Sequence, residues 1–265
     1  MGRFQNESMQ MKTIANSHAE GIKAVLLVGG LGTRLRSIVP SIPKPLAAVG
    51  GKSFLELLVL QLKYQKICNL VMCTGYLGEK IESEFGDGEP LGVRIEYSKE
   101  SSPLGTAGAV KLAQLHLRDA PEFLVMNGDS FIETDFSELI RFHHQHGGLI
   151  SMAVLRVGNA ARFGTVKIGN EGRVIGFTEK TGNEAPGIVN AGVYVFDHTV
   201  LEHIPEGPTS LERDVFPKLL NRGVYAVEQS GVFIDIGTPE DYARAQQLRD
   251  RLYETASPKP GVEGG

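Results

Sequence analysis

Near-continuous apolar runs alternate with stretches of helical period through the first half of this sequence. IKAVLLV (22–28) carries one charged residue, as expected for a strand covered on both faces. SFLELLVLQLKYQ (53–65) instead spaces its apolar residues for a helix. Ser53 stands as N-cap and Glu56 follows three positions on, the capping-box pattern. NLVMCTG (69–75), VRIEYS (93–98) and EFLVMN (122–127) predict further strands, and LGEKIESEFG (77–86) and TAGAVKLAQLHL (106–117) further helices. This βαβα order predicts an α/β fold: a mostly parallel sheet flanked by helices on both faces. After about Leu149 strand-like segments dominate: LISMAVLRV, GTVKI, RVIGFTE and GIVNAGVYVF. A helix over LERDVFPKLLNR (211–222), strands over VYAVEQ and VFIDI, and a last helix over PEDYARAQQLRDRLYE (239–254) complete the pattern. Without repeats or a long linker, the second half reads as a smaller mixed layer on the same core.

The 265 residues suffice for one large core, and the net charge of −4 with no long basic run argues against nucleic acid as a partner. No segment reaches membrane-spanning length, and residues 1–20 read as a polar, flexible extension without the apolar centre of a secretory signal. Residues 254–265 read as a flexible tail rich in proline and glycine. The expectation is a cytoplasmic protein. The two cysteines, Cys68 and Cys73, have an odd separation, which puts them on opposite faces of a strand as reduced, buried thiols. His143, His144 and His146 fall on a predicted solvated helix end, where a metal role is not expected.

AVLLVGGLGTRLR (24–36) runs from a buried strand into a glycine-rich, basic turn. Free N–H groups at such a turn and the forked guanidinium of Arg34 suit phosphate oxygens. An ordinary turn with solvated arginines satisfies the same pattern. No Gly-Lys-Ser/Thr follows, so it is not a Walker A loop, and Leu35 stands where a dinucleotide fingerprint needs its third glycine. IPKPL (42–46) then sets Lys44 between two prolines, on a stiff backbone that presents its ammonium.

GGLGTRLR followed by IPKPL resembles the signature of nucleoside-diphosphate-sugar pyrophosphorylases, the sugar-phosphate nucleotidylyltransferases. SPLGTAGA, MNGDSF, FGTV, FTEK, VNAGVYVF and FIDIGTPEDY follow in the order of that family, so the resemblance covers nearly the whole chain. It implies one Rossmann-like, GT-A-like domain over residues 21–253, with a nucleotide-binding half (21–148) and a sugar-binding half (149–253). It also implies nucleotidyl transfer from an NTP to a sugar 1-phosphate, with release of pyrophosphate and dependence on Mg²⁺. Arg34, Lys44, Asp129 and Asp235 are then the catalytic residues, and Asp129 and Asp235 hold the metal. Gly29, Gly30, Gly32, Thr33, Glu100, Gly105 and Thr106 are assigned to the nucleotide, with Gly105 leaving room for the base. Asn127, Gly164, Glu179, Lys180 and Asn190 are assigned to the sugar. Phe163 stands where several relatives carry Tyr, which removes one hydroxyl.

Glu100 bears on the choice of base. A carboxylate can accept from both N1–H and the 2-amino group of guanine, whereas uracil offers only N3–H, so GTP is the expected nucleotide. The length of the chain resembles that of guanylyltransferases acting on D-glycero-α-D-manno-heptose 1-phosphate. The alternatives are a uridylyltransferase for N-acetylmuramate 1-phosphate or glucose 1-phosphate, and a mannose 1-phosphate guanylyltransferase. A catalytically silent nucleotide-sugar sensor would be expected to lack Lys44 or a metal carboxylate, and both are present. A homodimer is the prior for assembly.

Overall fold

The computed structural model describes residues 21–30, 32, 35, 41–178, 182 and 184–257. Its centre is a nine-stranded mixed sheet. Strand β1 (Lys23–Leu27) opens it. A small hairpin of β2 (Ala48–Val49) and β3 (Lys52–Ser53) leads into helix α1 (Phe54–Tyr64), whose Glu56 N–H donates to Ser53 Oγ as the cap pattern predicts. Strand β4 (Asn69–Thr74), helix α2 (Gly78–Phe85), strand β5 (Arg94–Lys99), helix α3 (Gly105–Leu112) and strand β6 (Glu122–Asn127) follow. β1 lies between β4 and β6 and β4 pairs with β5, all parallel.

Then come β7 (Ser130–Ile132), α4 (Phe136–His146), β8 (Ile150–Val157), β9 (Thr165–Ile168), β10 (Val174–Thr178) and the long β11 (Gly187–Asp197). β11 carries the second half onto the parallel core by pairing antiparallel with β6. It also pairs with β8, and the register breaks between Asn190 and Tyr194. The short helix α5 (Phe216–Leu219), β12 (Val224–Gln229), β13 (Phe233–Asp235), α6 (Pro239–Gln247) and α7 (Arg249–Ala256) complete the chain.

Alternate residues of the central strands enter two cores. Ala24, Leu26, Leu70, Met72, Leu124 and Met126 pack on one face with α1, α4 and α7, while Val25, Val71, Phe123 and Val125 pack on the other with α3 and α5. This two-sided burial is why the strands read as continuous apolar runs. Cys73 belongs to the second core and Cys68 packs against the first, both unpaired. Burial, reinforced by the charge of Glu100, pushes the Cys73 thiol up to about 12.

Three local expectations change. The segment 211–222 is not one α-helix but a π-turn, a single α turn and a 3-10 turn in succession. Pro217 lies in its first α turn, where it lacks an N–H to continue the ladder. The predicted last helix bends at Leu248 into α6 and α7, which brings Leu252 and Ala256 into the core. His143 is buried rather than solvated, with its Nδ1 2.9 Å from Ser151 Oγ. Among the described residues, no helix is long and apolar enough to cross a membrane.

Candidate active site at the carboxyl ends of the central strands

Two carboxylates and one ammonium meet just beyond the ends of β1 and β6. Asp129 stands in the turn from β6 to β7. Asp235 closes β13, which pairs antiparallel with β7 so that Asp235 lies opposite Ser130. The Ile236 N–H donates to the Asp129 carbonyl at 3.0 Å, extending that ladder. Lys44 opens a 3-10 turn (Lys44–Leu46) whose N-cap is Pro43. The β2–β3 hairpin behind it is pinned from the far end of the chain. Tyr242 and Gln246 donate to the Ala48 carbonyl, and Tyr253 Oη donates to the Val49 carbonyl at 2.8 Å. So held, Lys44 Nζ lies 2.6 Å from Asp129 Oδ2 and 3.8 Å from Asp235 Oδ1, with only 10% of its side chain exposed.

A cavity of about 240 Å³ adjoins this cluster, lined among others by Asn127, Gly164, Asn190, Glu212 and Asp235. The rings of Phe163 and Phe233 meet edge to face at 5.6 Å on its wall. An apolar wall with a few polar groups suits a sugar ring. Asn127 Oδ1 is buried and has no hydrogen-bond partner among the described residues. Asn190 turns both polar atoms inward: Nδ2 donates to Tyr194 Oη at 2.6 Å, and Oδ1 accepts from the Gly192 N–H at 3.1 Å. Burial, aided by the charge of Glu212, holds the Tyr194 phenol well above its usual range.

Glu100 forms a separate notch beside the glycine-rich turn. Its Oε2 accepts from the Leu104 N–H at 2.9 Å. A Cβ on Gly29 would lie 3.0 Å from Glu100 Oε1, and one on Gly75 2.4 Å from it, so both glycines make room for this carboxylate. Burial raises the Glu100 pKa, opposed by the hydrogen bond from Leu104. A Cβ on Gly30 would meet nothing within 4 Å among the described residues, while a Cβ on Gly32 would meet Lys44 Cβ at 3.0 Å.

Gly105 answers to a different demand. It has φ +70°, and a Cβ there would lie 2.7 Å from the Thr209 carbonyl oxygen. The neighbouring segment of chain therefore accounts for this glycine. Thr106 likewise faces that segment: its Oγ1 donates to Glu212 Oε2 at 3.0 Å and accepts from the Leu211 N–H at 2.8 Å.

The structure thus gathers Lys44, Asp129 and Asp235 in one cluster, Glu100 with Gly29 in a second, and Asn127, Gly164 and Asn190 in the cavity. Thr33, Arg34, Glu179 and Lys180 lie outside the described residues. Sequence reasoning passed over Glu212, Phe177 and Phe233, which also line the cavity. It read Glu212 only as part of a helix, and its Thr106 contact arises from tertiary packing.

Among the described residues, no group of three or more His, Cys, Asp or Glu side chains could hold a metal ion. A pair of carboxylates still fits Mg²⁺, which binds through one or two carboxylates plus substrate phosphates. Gly237 supports that fit. Its N–H donates to Asp235 Oδ1 at 2.5 Å, and a Cβ there would crowd this oxygen at 2.4 Å and approach Lys44 Nζ to 3.5 Å.

Comparisons with known proteins agree with this architecture. The family model for nucleotidyl transferases matches residues 23–251. The mannose-1-phosphate guanylyltransferase of Mycobacterium tuberculosis (strain ATCC 25618 / H37Rv) is 38% identical over 247 residues, 92% of this chain and 68% of that protein. A mannose-1-phosphate guanylyltransferase catalytic subunit beta from Danio rerio is 35% identical over 252 residues, 92% of this chain and 70% of that protein. The crystal structure of HddC from Yersinia pseudotuberculosis complexed with GMP-PN superposes with a TM-score of 0.77 at 32% identity, covering 86% of this chain and 99% of that one. With every strand described above, Asp129, Asp235 and the lysine turn inside the matched region, the chain belongs to the nucleotidyl transferase family.

Proposed function

We propose that this enzyme transfers a guanylyl group from GTP to a manno-configured sugar 1-phosphate, giving a GDP-sugar and pyrophosphate. The carrying observation is the Lys44 ammonium held by Asp129 and Asp235 beside the aromatic-walled cavity that Asp235 lines. A phosphate oxygen of the sugar phosphate attacks the α-phosphorus, the bond to the β-phosphate oxygen breaks, and pyrophosphate leaves. Lys44 neutralises the two reacting phosphates, and Arg34 meets the charge growing on the pyrophosphate. Gly29, Gly30, Gly32 and Thr33 cradle the triphosphate, and Glu100 accepts from the guanine edge. Gly105 and Thr106 shape the nucleotide site by seating α3 against residues 209–212. Asp129 and Asp235 hold Mg²⁺, which when bound polarises the α-phosphate. Asn127, Gly164, Glu179, Lys180 and Asn190 surround the sugar, with Asn127 Oδ1, buried and unpartnered among the described residues, accepting from a hydroxyl.

The names of the relatives favour guanine, and HddC was solved with GMP-PN. They also favour mannose 1-phosphate as the acceptor. The heptose homologue D-glycero-α-D-manno-heptose 1-phosphate adds one CH(OH) beyond the ring and is the second candidate acceptor. A pyrophosphate-release assay with four NTPs and a panel of sugar 1-phosphates tests the reading. Highest kcat/KM with GTP and one of these two acceptors is expected, and a preference for UTP or dTTP refutes it.

A further inference from the structure

We propose that Lys44 serves as a counter-cation of the Asp129–Asp235 pair in the empty enzyme, so that the pair takes up a divalent cation only as the nucleotide draws the ammonium away. This deepens the reading of the site given above and rests on it.

Two carboxylates brought together by the β7–β13 ladder repel each other unless a cation stands near both. Lys44 Nζ occupies that position, 2.6 Å from one and 3.8 Å from the other, and is largely withdrawn from water. A divalent ion arriving alone would have to share the pair with a positive charge already there. The lysine can leave without moving the backbone. Its turn is stiffened by Pro43 and Pro45 and its hairpin is pinned by Tyr242, Gln246 and Tyr253, whereas its own side chain has four rotatable bonds. The base of its side chain lies against Gly32, in the turn assigned above to the triphosphate, so a rotamer change would carry the ammonium from carboxylate to phosphate. Gly237, having no side chain, lets Asp235 Oδ1 and Lys44 Nζ lie close to its backbone. One side chain thereby links nucleotide arrival to metal capture and keeps the empty site from holding metal unproductively.

The test is Mn²⁺ binding to the full chain without nucleotide or sugar, followed by electron paramagnetic resonance and by the metal-induced shift in thermal unfolding. The wild type should bind Mn²⁺ weakly. Lys44→Met and Lys44→Gln should each bind one ion about tenfold or more tightly, and Lys44→Arg, which keeps the charge, should stay close to the wild type. Adding Asp129→Asn to Lys44→Met should abolish the tightened site. Tight binding by the wild type overturns the proposal whatever the variants do. So does unchanged affinity in the neutral variants, or a tightened site that survives Asp129→Asn. Because no substrate is present, failure here leaves the guanylyl-transfer assay to judge the proposed function separately.

Discussion

Replacing Glu100 with Gln tests the base assignment at one atom. In the wild type, Oε2 accepts from the Leu104 N–H, and Oε1 lies in the room left by the missing side chains of Gly29 and Gly75. The Gln amide must keep its oxygen toward Leu104, because turning the NH₂ there would set donor against donor. The NH₂ then faces the side from which a guanine edge would approach with its own N–H groups. A donor left unmet in a desolvated site costs about 1–3 kcal/mol, so the ratio of kcat/KM for GTP to that for UTP should fall about tenfold to a hundredfold. UTP should lose less, since uracil presents both a donor and acceptors. The acid limb supplies a second readout. Burial raises the Glu100 pKa, so the acceptor is lost on acidification sooner than from an ordinary carboxylate. The GTP rate should fall with it in the wild type, and Glu100→Gln should lack that limb. The assay is pyrophosphate release with each NTP and one fixed sugar phosphate across pH. An unchanged GTP:UTP ratio in Glu100→Gln refutes the reasoning.

Asp129→Asn and Asp235→Asn should each lower turnover by orders of magnitude at saturating Mg²⁺ while circular dichroism stays native; near-normal kcat in both would remove them from the metal site. Gly105→Ala forces an L-residue to φ +70° and drives its Cβ against the Thr209 carbonyl. The strain alone costs about 1–2 kcal/mol, so Tm should drop by several degrees, as calorimetry would show. Burial depresses the His143 pKa, so the unfolded chain takes up its proton first as pH falls. The stability His143 provides above the ordinary histidine range should decline through that range by at most about 1.4 kcal/mol per pH unit. Urea unfolding at neutral and mildly acidic pH should show that slope, and His143→Asn should reduce it.

Particular elements show how far the sequence was legible. β1, β4 and β6 could be read directly because burial on both faces leaves them almost without polar residues. The Ser53 cap, the proline-bounded Lys44 turn and an acid just past β6 are equally local, since each depends on neighbours a few residues away. Motif order carried the family assignment, and the matched region agrees with it. His143 misled because three histidines in one short stretch read as polar, although a single rotation step along α4 turns one of them onto the core.

Contacts between distant segments lay beyond this reading. The glycine at 105 suggests ligand approach from sequence, yet the oxygen that crowds it belongs to Thr209. Glu212 looked like an ordinary helix residue until the fold set it against Thr106 and the cavity. The sequence by itself determined the layers, the glycine turn and the residue types available for phosphate and metal chemistry, because strand and helix periods and backbone preferences are properties of short segments. Only the tertiary structure decided that Asp129, Asp235 and Lys44 share one point. Their meeting depends on the β7–β13 ladder and on a hairpin held by the last two helices, and no local pattern encodes which distant strands will exchange hydrogen bonds.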